Sequence, residues 1–228
     1  MTALIEGIGA IGLTVLYFNL SIKVHRLWTS PVTIPIFLSS SGLIFTLILF
    51  DIPYKAYKEG TEIITYLLGP ATVALAYPLY QHRKLILRHW QPILSGIMAG
   101  SGVSMILTYL LASFMDIPAE FNRSLLVKTI TTPVAVDIGR LINAKVEVIP
   151  AAVIVTGILG AMFLPFLNKR LKITHPIAKG LSFGVISHGI GTAQALKESE
   201  LEGAVSGAAM ALTAVIMSVL MPILFLFV

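Results

Sequence analysis

The chain has 228 residues, of which only 12% are Asp, Glu, Lys or Arg, whereas 56% are hydrophobic. Soluble domains carry about 25% charged residues, and the mean hydropathy of this chain is +0.89. This composition excludes a disordered chain, a water-exposed globule and a nucleic-acid-binding surface, and it predicts an integral membrane protein.

Uncharged stretches divide the chain into candidate membrane spans. About 20 mostly uncharged helical residues are needed to cross the ~30 Å hydrocarbon core of a bilayer. Seven windows without Asp, Glu, Lys or Arg approach or exceed this length: 7–22, 27–50, 63–82, 89–115, 148–168, 180–196 and 203–228. No basic residue precedes the first window, so we interpret it as a span and not as a removable signal peptide. The predicted fold is all-α, with about seven transmembrane helices.

One region departs from this pattern. Residues 116–147 carry eight charged residues in 32 positions, yet their middle, 124–136, is largely apolar. This segment is either an eighth span or an element that dips into the membrane and returns. Non-helical backbone at membrane depth is tolerated only where it is buried in protein or lines a wet cavity. The dipping alternative therefore makes residues 121–137 a candidate for the transport pathway.

The distribution of Lys and Arg favours the dipping alternative. With seven spans, the islands 23–26, 83–88 and 169–179 share one side and hold nine basic residues in 21 positions, against seven in 56 positions on the other side. An eighth span would remove this asymmetry. Because basic loops face the cytoplasm, we predict a multi-pass protein of the plasma (inner) membrane, with the N-terminus outside and the C-terminus inside.

Two predicted spans contain helix breakers. Gly69-Pro70 and Pro78 interrupt 63–82, and four glycines surround Ser187-His188 in 180–196. Each broken span is the middle one of three, and the two trios begin on opposite sides. This layout is typical of inverted-repeat transporters, which bind substrate near the midplane between half-helix ends. We therefore predict one membrane domain over 1–228, with repeat units 27–115 and 148–228 joined by 116–147.

Polar side chains on these interrupted segments are the candidate substrate-binding residues. His188 lies deep inside an apolar window, where titratable side chains usually face a cavity, although a structural hydrogen bond is the alternative. Lys128 either binds a carboxylate or extends to the interface. The full candidate set is Thr72, Lys128, Thr129, Thr131, Thr132, Pro133, Ser187, His188, Gly189, Gly191 and Thr192.

Signals for catalysis are absent from the sequence. It has no cysteine, no metal-ligand spacing of histidines, no nucleophile elbow and no phosphate-binding glycine motif. We therefore expect no enzyme activity, no cofactor and no metal site.

Three ordered segments, 69–80, 128–135 and 187–193, resemble the hallmark segments of the LrgB/CidB family, which includes YohK-like proteins. Further matches are Gly157-Ile158-Leu159-Gly160 and Glu202-Gly203-Ala204-x-Ser206, so the resemblance covers essentially the whole chain. One departure is Asn143-Ala144, where the family often has Gly-Gly.

The resemblance implies two alternative functions. Some members are named as holin-like or antiholin-like modulators of murein hydrolase export and cell lysis. Others, including a plastid relative fused to an LrgA-like half, transport small monocarboxylates such as glycolate, glycerate or pyruvate. The resemblance also implies a homodimer and a separate LrgA-like membrane partner. Because a simple holin can be built from unbroken apolar spans, the broken helices favour a carboxylate transporter.

Overall fold

A computed structural model describes the backbone of residues 2–67, 70, 73–74 and 76–226. The regular elements of these residues are helices, with no β-strand among them, so the predicted all-α class is confirmed. Four of the described helices are long and apolar enough to cross a membrane, namely Gly7–Leu27, Trp90–Phe114, Val146–Arg170 and Glu200–Phe225.

The remaining predicted spans have different outcomes. Window 27–50 contains a shorter apolar helix, Pro35–Leu49. Window 63–82 lies partly outside the described residues, which exclude Gly69 and Thr72. Window 180–196 reverses direction halfway along, as shown below.

The chain divides into two compact units, Met1–Ala74 and Leu75–Val228. Unit 1 is built on one long and one shorter apolar helix. They pack antiparallel, as shown by the hydrogen bonds of Tyr17 to Thr46 and, near their junction, of His25 to Thr33. Its helices are α1 (Thr2–Leu27), α2 (Pro35–Leu49), α3 (Tyr54–Gly60) and α4 (Glu62–Tyr66), with a 3-10 turn at Pro31–Thr33.

Unit 2 contains three long helices and two interrupted elements that pack between them. Its described helices are α5 (Ala76–Gln81), α6 (Arg83–Arg88), α7 (Trp90–Phe114), α8 (Ala119–Leu126), α9 (Thr132–Leu141), α10 (Ile149–Arg170), α11 (Pro176–Glu198) and α12 (Glu200–Leu226). The candidate site lies in this unit, so its topology decides where the site residues meet.

Helix α11 is a hairpin and not a straight rod. His188 interrupts it with φ 41° and ψ −129°. Phe183 and Ala195 belong to one buried cluster, although a straight helix would hold residues twelve apart about 18 Å from each other. A Cβ atom on Gly191 would likewise lie 2.6 Å from the carbonyl oxygen of Phe183. Residues 176–198 therefore form a re-entrant hairpin, here named hairpin 2, with its tip at His188.

The first half of hairpin 2 runs parallel to α12. A Cβ atom on Gly180 would lie 2.7 Å from the carbonyl oxygen of Glu202, and one on Gly184 would lie 2.3 Å from that of Ser206. In these two contacts the residue numbers of both helices increase in the same direction, so the two helices are parallel. The missing side chains of these glycines permit the close approach of the backbones.

The second half of hairpin 2 runs back along α12. Thr192 hydrogen-bonds to Ser206 at 2.8 Å, and Leu196 contacts Gly203. The residue numbers here run in opposite directions, so this half is antiparallel to α12. The prediction that 180–196 crosses the membrane is therefore wrong. An uncharged window of this length is also compatible with a helix pair that enters halfway and returns.

Helices α8 and α9 form a second re-entrant element, here named hairpin 1. The amide of Lys145 donates to the Glu120 carbonyl at 3.1 Å, and the Ser124 hydroxyl donates to the Lys145 carbonyl at 2.9 Å. The entry and exit of this segment therefore lie side by side, and its tip is at 127–131. The chain dips and returns within 116–147, as the charge distribution predicts.

The exit of hairpin 1 explains the departure at Asn143. This residue has φ 53°, a left-handed conformation that glycine adopts freely and asparagine tolerates better than most residues. The Arg123 guanidinium donates to the neighbouring Ile142 carbonyl at 3.3 Å. Asn143 thus has a backbone conformation that glycine would also adopt, which is compatible with the glycine that the resemblance implies at this position.

The two hairpins enter unit 2 from opposite ends. Gly96 and Gly100 of α7 would meet Leu181 and Val185 if they carried Cβ atoms, so α7 runs parallel to the first half of hairpin 2. We name the end where α7 begins, α10 ends and α12 begins the Arg170 end. Hairpin 2 enters from this end, and hairpin 1 enters from the other, named the Asn143 end.

Each hairpin has its own apolar core. The hairpin-1 core comprises Leu126, Val127, Ile130, Ala135, Ile138, Ile142, Ile149, Val153, Met217 and Met221. The hairpin-2 core comprises Ile93, Ile97, Ile177, Val185, Val205 and Ala209. Helices α7 and α12 contact both cores, so the layer between the cores lies near the middle of these two helices.

The hairpin topology predicts which loops share a membrane face. The chain has no native cysteine, so single cysteines report accessibility directly. We expect Lys172→Cys and Lys197→Cys to react with a membrane-impermeant maleimide from the same side, and Glu147→Cys to react from the opposite side. Labelling of intact cells and of inverted vesicles measures this. Reaction of positions 172 and 197 from opposite sides would show that 180–196 crosses.

Candidate substrate-binding site

The break in hairpin 2 places His188 at the centre of unit 2. Its side chain is buried, and its Nε2 lies 3.0 Å from the Val153 carbonyl oxygen. Because a carbonyl only accepts, Nε2 carries the proton, which leaves Nδ1 as the acceptor of a neutral ring. A non-glycine residue with φ 41° and ψ −129° is strained, and residues with such strain cluster at functional sites. His188 is thus held in one orientation at the tip.

Two glycines of α10 make room for this tip. A Cβ atom on Gly157 would lie 2.7 Å from Cε1 of His188, and one on Gly160 would lie 1.6 Å from Oγ of Ser187. The Gly157-x-x-Gly160 spacing therefore has a steric cause. Ser187 is completely buried, and its hydroxyl has no hydrogen-bond partner among the described residues.

Thr192 stabilises the break itself. Its hydroxyl donates to the His188 carbonyl at 2.8 Å and lies 2.8 Å from the Ser206 hydroxyl, which therefore donates to it. The first bond gives a side-chain donor to the backbone carbonyl at the tip, and the second links the tip to α12. In this conformation Thr192 is fully buried and holds the tip together. Gly189 and Gly191 begin the returning half, and Gly191 packs directly on Ser187.

The tip of hairpin 1 carries a cation. Lys128 is half-buried, and its Nζ donates to the Thr108 hydroxyl of α7 at 2.6 Å. Thr108 in turn donates to the Ser104 carbonyl at 2.6 Å. In the described part of the chain, the two ion pairs are Arg140–Asp137 and Lys179–Glu202, so no carboxylate pairs with Lys128.

The N-terminus of α9 lies at the same tip. Thr131 is its N-cap residue, with Thr132 and Pro133 in the first turn, and no side chain caps the free amides. Free amides at a helix N-terminus favour an anion. Thr129 is buried, whereas Thr131 and Thr132 are half-buried and Pro133 is exposed.

The structure brings the two predicted groups, 128–133 and 187–192, to two facing tips. Both tips pack on Val153 of α10, whose side chain belongs to the hairpin-1 core and whose carbonyl binds His188. Among the described residues, no hydrogen bond joins the two groups directly. Thr72 lies outside the described residues.

Sequence reasoning missed several buried polar groups of this unit. Ser101 of α7 and Thr213 of α12 are each 1% exposed and have no hydrogen-bond partner in the described structure. Each lies four residues after a buried core residue, Ile97 or Ala209, and therefore on the same face of its helix. This spacing was the only sequence signal that pointed to their burial. Glu202 is also buried, and it accepts a hydrogen bond from Lys179 at 3.4 Å.

The chemistry of this region suits a small anion. Lys128 and two half-helix N-termini supply positive potential, and the buried hydroxyls supply neutral donors. Within the described residues, no group of three His, Asp or Glu side chains has the arrangement of a metal site.

Comparison with known proteins identifies relatives along nearly the whole chain. Residues 14–227 match the model of the LrgB-like family. An uncharacterized protein YxaC from Bacillus subtilis is 34% identical over 211 residues, 92% of each chain. A protein named holin-like protein CidB from Staphylococcus aureus is 31% identical over 226 residues, 99% of each chain. No solved structure matches the chain.

Two equally buried serines provide a matched test of the site. An unpaired buried hydroxyl costs about 1–3 kcal/mol, so Ser187→Ala should raise the free energy of unfolding and the melting temperature in detergent. Ser206→Ala removes the donor to Thr192 and should lower stability by about 1 kcal/mol. Thermal melting of both purified variants measures the difference. A fall for Ser187→Ala as large as that for Ser206→Ala would contradict the assignment of Ser187 as unpaired.

Proposed function

The chain belongs to the LrgB-like family of membrane proteins, and we propose that it transports small monocarboxylates, of the glycolate, glycerate or pyruvate type, by alternating access. The observation that carries this proposal is the pair of hairpins that enter unit 2 from opposite ends and present polar tips to its middle. Such broken elements bind substrate at the midplane in secondary transporters.

The electrostatics of the tips support an anionic substrate. Lys128 has a hydroxyl partner but no carboxylate partner in the described structure, so its charge is available to a ligand. The amides at the start of α9, with Thr131 and Thr132, add hydrogen-bond donors. In this proposal Lys128 and these threonines hold the carboxylate, while His188 orients the substrate through a ring that Val153 fixes.

The hairpins also suggest the internal symmetry. Helix α7 followed by hairpin 1 and helix α10 followed by hairpin 2 are two units of the same layout, 90–141 and 149–198, with opposite directions. We propose these as the inverted repeats. This division is narrower than the sequence-based units 27–115 and 148–228.

The distribution of charge supports an orientation of unit 2 in the plasma membrane. The Arg170 end carries most of the basic residues of unit 2, namely Arg83, Lys84, Arg88, Lys169, Arg170, Lys172, Lys179 and Lys197. The positive-inside rule places this end in the cytoplasm. Since α12 begins at this end, we propose that the C-terminus lies outside, which differs from the sequence-based expectation that it lies inside.

A holin-like role is the second candidate function. It is favoured by the names of the Staphylococcus aureus and Staphylococcus epidermidis relatives, which are called holin-like protein CidB. In that role the chain would modulate murein hydrolase export and lysis, together with an LrgA-like partner. A homodimer, which the resemblance implies, is compatible with either function.

Reconstituted vesicles separate the two functions. We expect saturable uptake of labelled glycolate, glycerate or pyruvate into proteoliposomes, without leakage of an encapsulated dye. Lys128→Gln should raise KM roughly 10- to 100-fold, because a hydrogen bond to a charged group contributes about 1.5–3 kcal/mol. The control Lys172→Gln removes an exposed lysine at the Arg170 end and should leave KM unchanged.

Two outcomes would contradict the transporter. Dye leakage that rises with protein density, without saturable uptake of any of the three acids, would favour the holin-like role. Saturable uptake with the same KM in Lys128→Gln would keep the transporter and remove Lys128 from its site.

A further inference from the structure

Ser101 and Thr213 are unusual among the hydroxyls of the long helices. Serine and threonine in an apolar helix usually donate to the carbonyl four residues earlier. Thr108 of α7 does so at 2.6 Å, and Ser218 of α12 does so at 2.7 Å. Ser101 and Thr213 make no such bond and no other bond in the described structure, although each is 1% exposed.

Their position explains what these hydroxyls face. Ser101 lies one turn after Ile97 of the hairpin-2 core and one turn before Met105, which packs on the hairpin-1 core. Thr213 has the same place on α12, between Ala209 of the hairpin-2 core and Met217 of the hairpin-1 core. Both therefore lie in the layer between the two cores, which is the layer that the hairpin tips reach.

The level of the tips on α12 supports this placement. Gly189, which follows His188 in hairpin 2, faces Met210, whose sulfur would lie 3.8 Å from a glycine Cβ atom. Ala214 packs on the hairpin-1 core from the other side. Ile216 still packs on the hairpin-2 core, so Thr213 lies on the stretch of α12 where the contacts with the two cores adjoin.

We propose that Ser101 and Thr213 determine substrate specificity by hydrogen-bonding a second polar group of the substrate, a hydroxyl or carbonyl oxygen next to its carboxylate. This inference rests on the proposed transport function. The two continuous helices contribute these hydroxyls, whereas the hairpin tips contribute the groups that hold the carboxylate.

The chemistry of a hydroxyl suits this role. It donates one hydrogen bond and accepts others, so it can pair with an alcohol or a ketone oxygen. A monocarboxylate such as acetate, which has no hydroxyl or carbonyl oxygen next to its carboxylate, would leave both side chains unpaired in an apolar layer. Sites that contain unpaired hydrogen-bonding groups reject ligands lacking the matching group far more strongly than apolar pockets reject a missing methylene. Discrimination between glycolate and acetate therefore measures the contribution of these residues.

The test compares glycolate with acetate in proteoliposomes that contain the full chain. We expect the KM of the unmodified protein for glycolate to be at least about 10-fold below that for acetate. Thr213→Val keeps the shape of the side chain and removes the hydroxyl. It should raise the KM for glycolate about 10-fold and leave the KM for acetate within about 2-fold. Ser101→Ala should change the ratio in the same direction.

Two further variants separate binding from structure. Thr213→Ser keeps a hydroxyl and should retain most of the preference for glycolate. Ser218→Ala removes a bonded hydroxyl from the exposed side of the same helix and should leave both KM values unchanged. Thr213→Val should also melt at the same or a higher temperature without substrate, because an unpaired buried hydroxyl does not stabilise the fold.

Each contrary result has a distinct meaning. If the unmodified protein transports glycolate but Thr213→Val and Ser101→Ala keep its preference over acetate, this inference fails and the transporter stands. Equal increases in both KM values would likewise overturn the role in specificity. If the unmodified protein transports neither acid nor any other monocarboxylate, the proposed function fails and this inference fails with it.

Discussion

The fold of unit 2 depends on one constraint, the satisfaction of polar groups where helix α11 is interrupted in the protein interior. Hydrocarbon offers no hydrogen-bond partner, so an interrupted helix must find its partners within the protein. The hydroxyl of Thr192 donates a hydrogen bond to the His188 carbonyl, and the His188 imidazole donates one to the Val153 carbonyl of α10. These partners can approach only because Gly157 and Gly160 lack side chains. The two glycines of α10, Thr192 and His188 therefore stabilise the tip of hairpin 2 together.

In the proposed transporter, the lengths of the hairpin legs would place the tips near the middle of the bilayer. Residues 176–187 before the break span about 18 Å at 1.5 Å per residue, and the ten residues of α9 span about 15 Å. Both values are close to half of a ~30 Å hydrocarbon core. A tip that enters from one end thus meets a tip that enters from the other. This arrangement concentrates half-helix termini and polar side chains in one layer, while the charged residues stay at the two ends.

Much of this arrangement could be predicted from the sequence because charge is expensive in hydrocarbon. The uncharged windows located the long helices, and the charge-rich segment 116–147 identified hairpin 1. The same reasoning failed for 180–196, since an uncharged window does not distinguish one crossing from a dip and return. The spacing of Gly180 and Gly184, which pack on α12, carried that information only in combination with a partner helix. Pairing between distant helices is a tertiary property that the local pattern does not contain.

The site residues also divide into those that the sequence predicts and those that depend on tertiary packing. Lys128, Ser187 and His188 could be found because a polar residue beside a helix breaker is conspicuous in an apolar chain. Ser101 and Thr213 could not, because single hydroxyls are common in membrane helices, where they normally bond to their own backbone. The burial of Glu202 is likewise not predicted by the local sequence, because it depends on how closely hairpin 2 packs against α12.

The unpaired hydroxyls also bear on the choice between a carrier and a pore. In a water-filled pore, Ser101, Ser187 and Thr213 would be hydrated, and their lack of protein partners would cost little. In the structure they are at most 1% exposed, so the cost of leaving them unpaired persists until a ligand or a conformational change supplies partners. A protein that forms only a scaffold gains nothing from such groups, since apolar side chains of the same shape would pack as well. A carrier gains from them, because a ligand that satisfies them stabilises the closed state selectively and couples binding to the change of conformation.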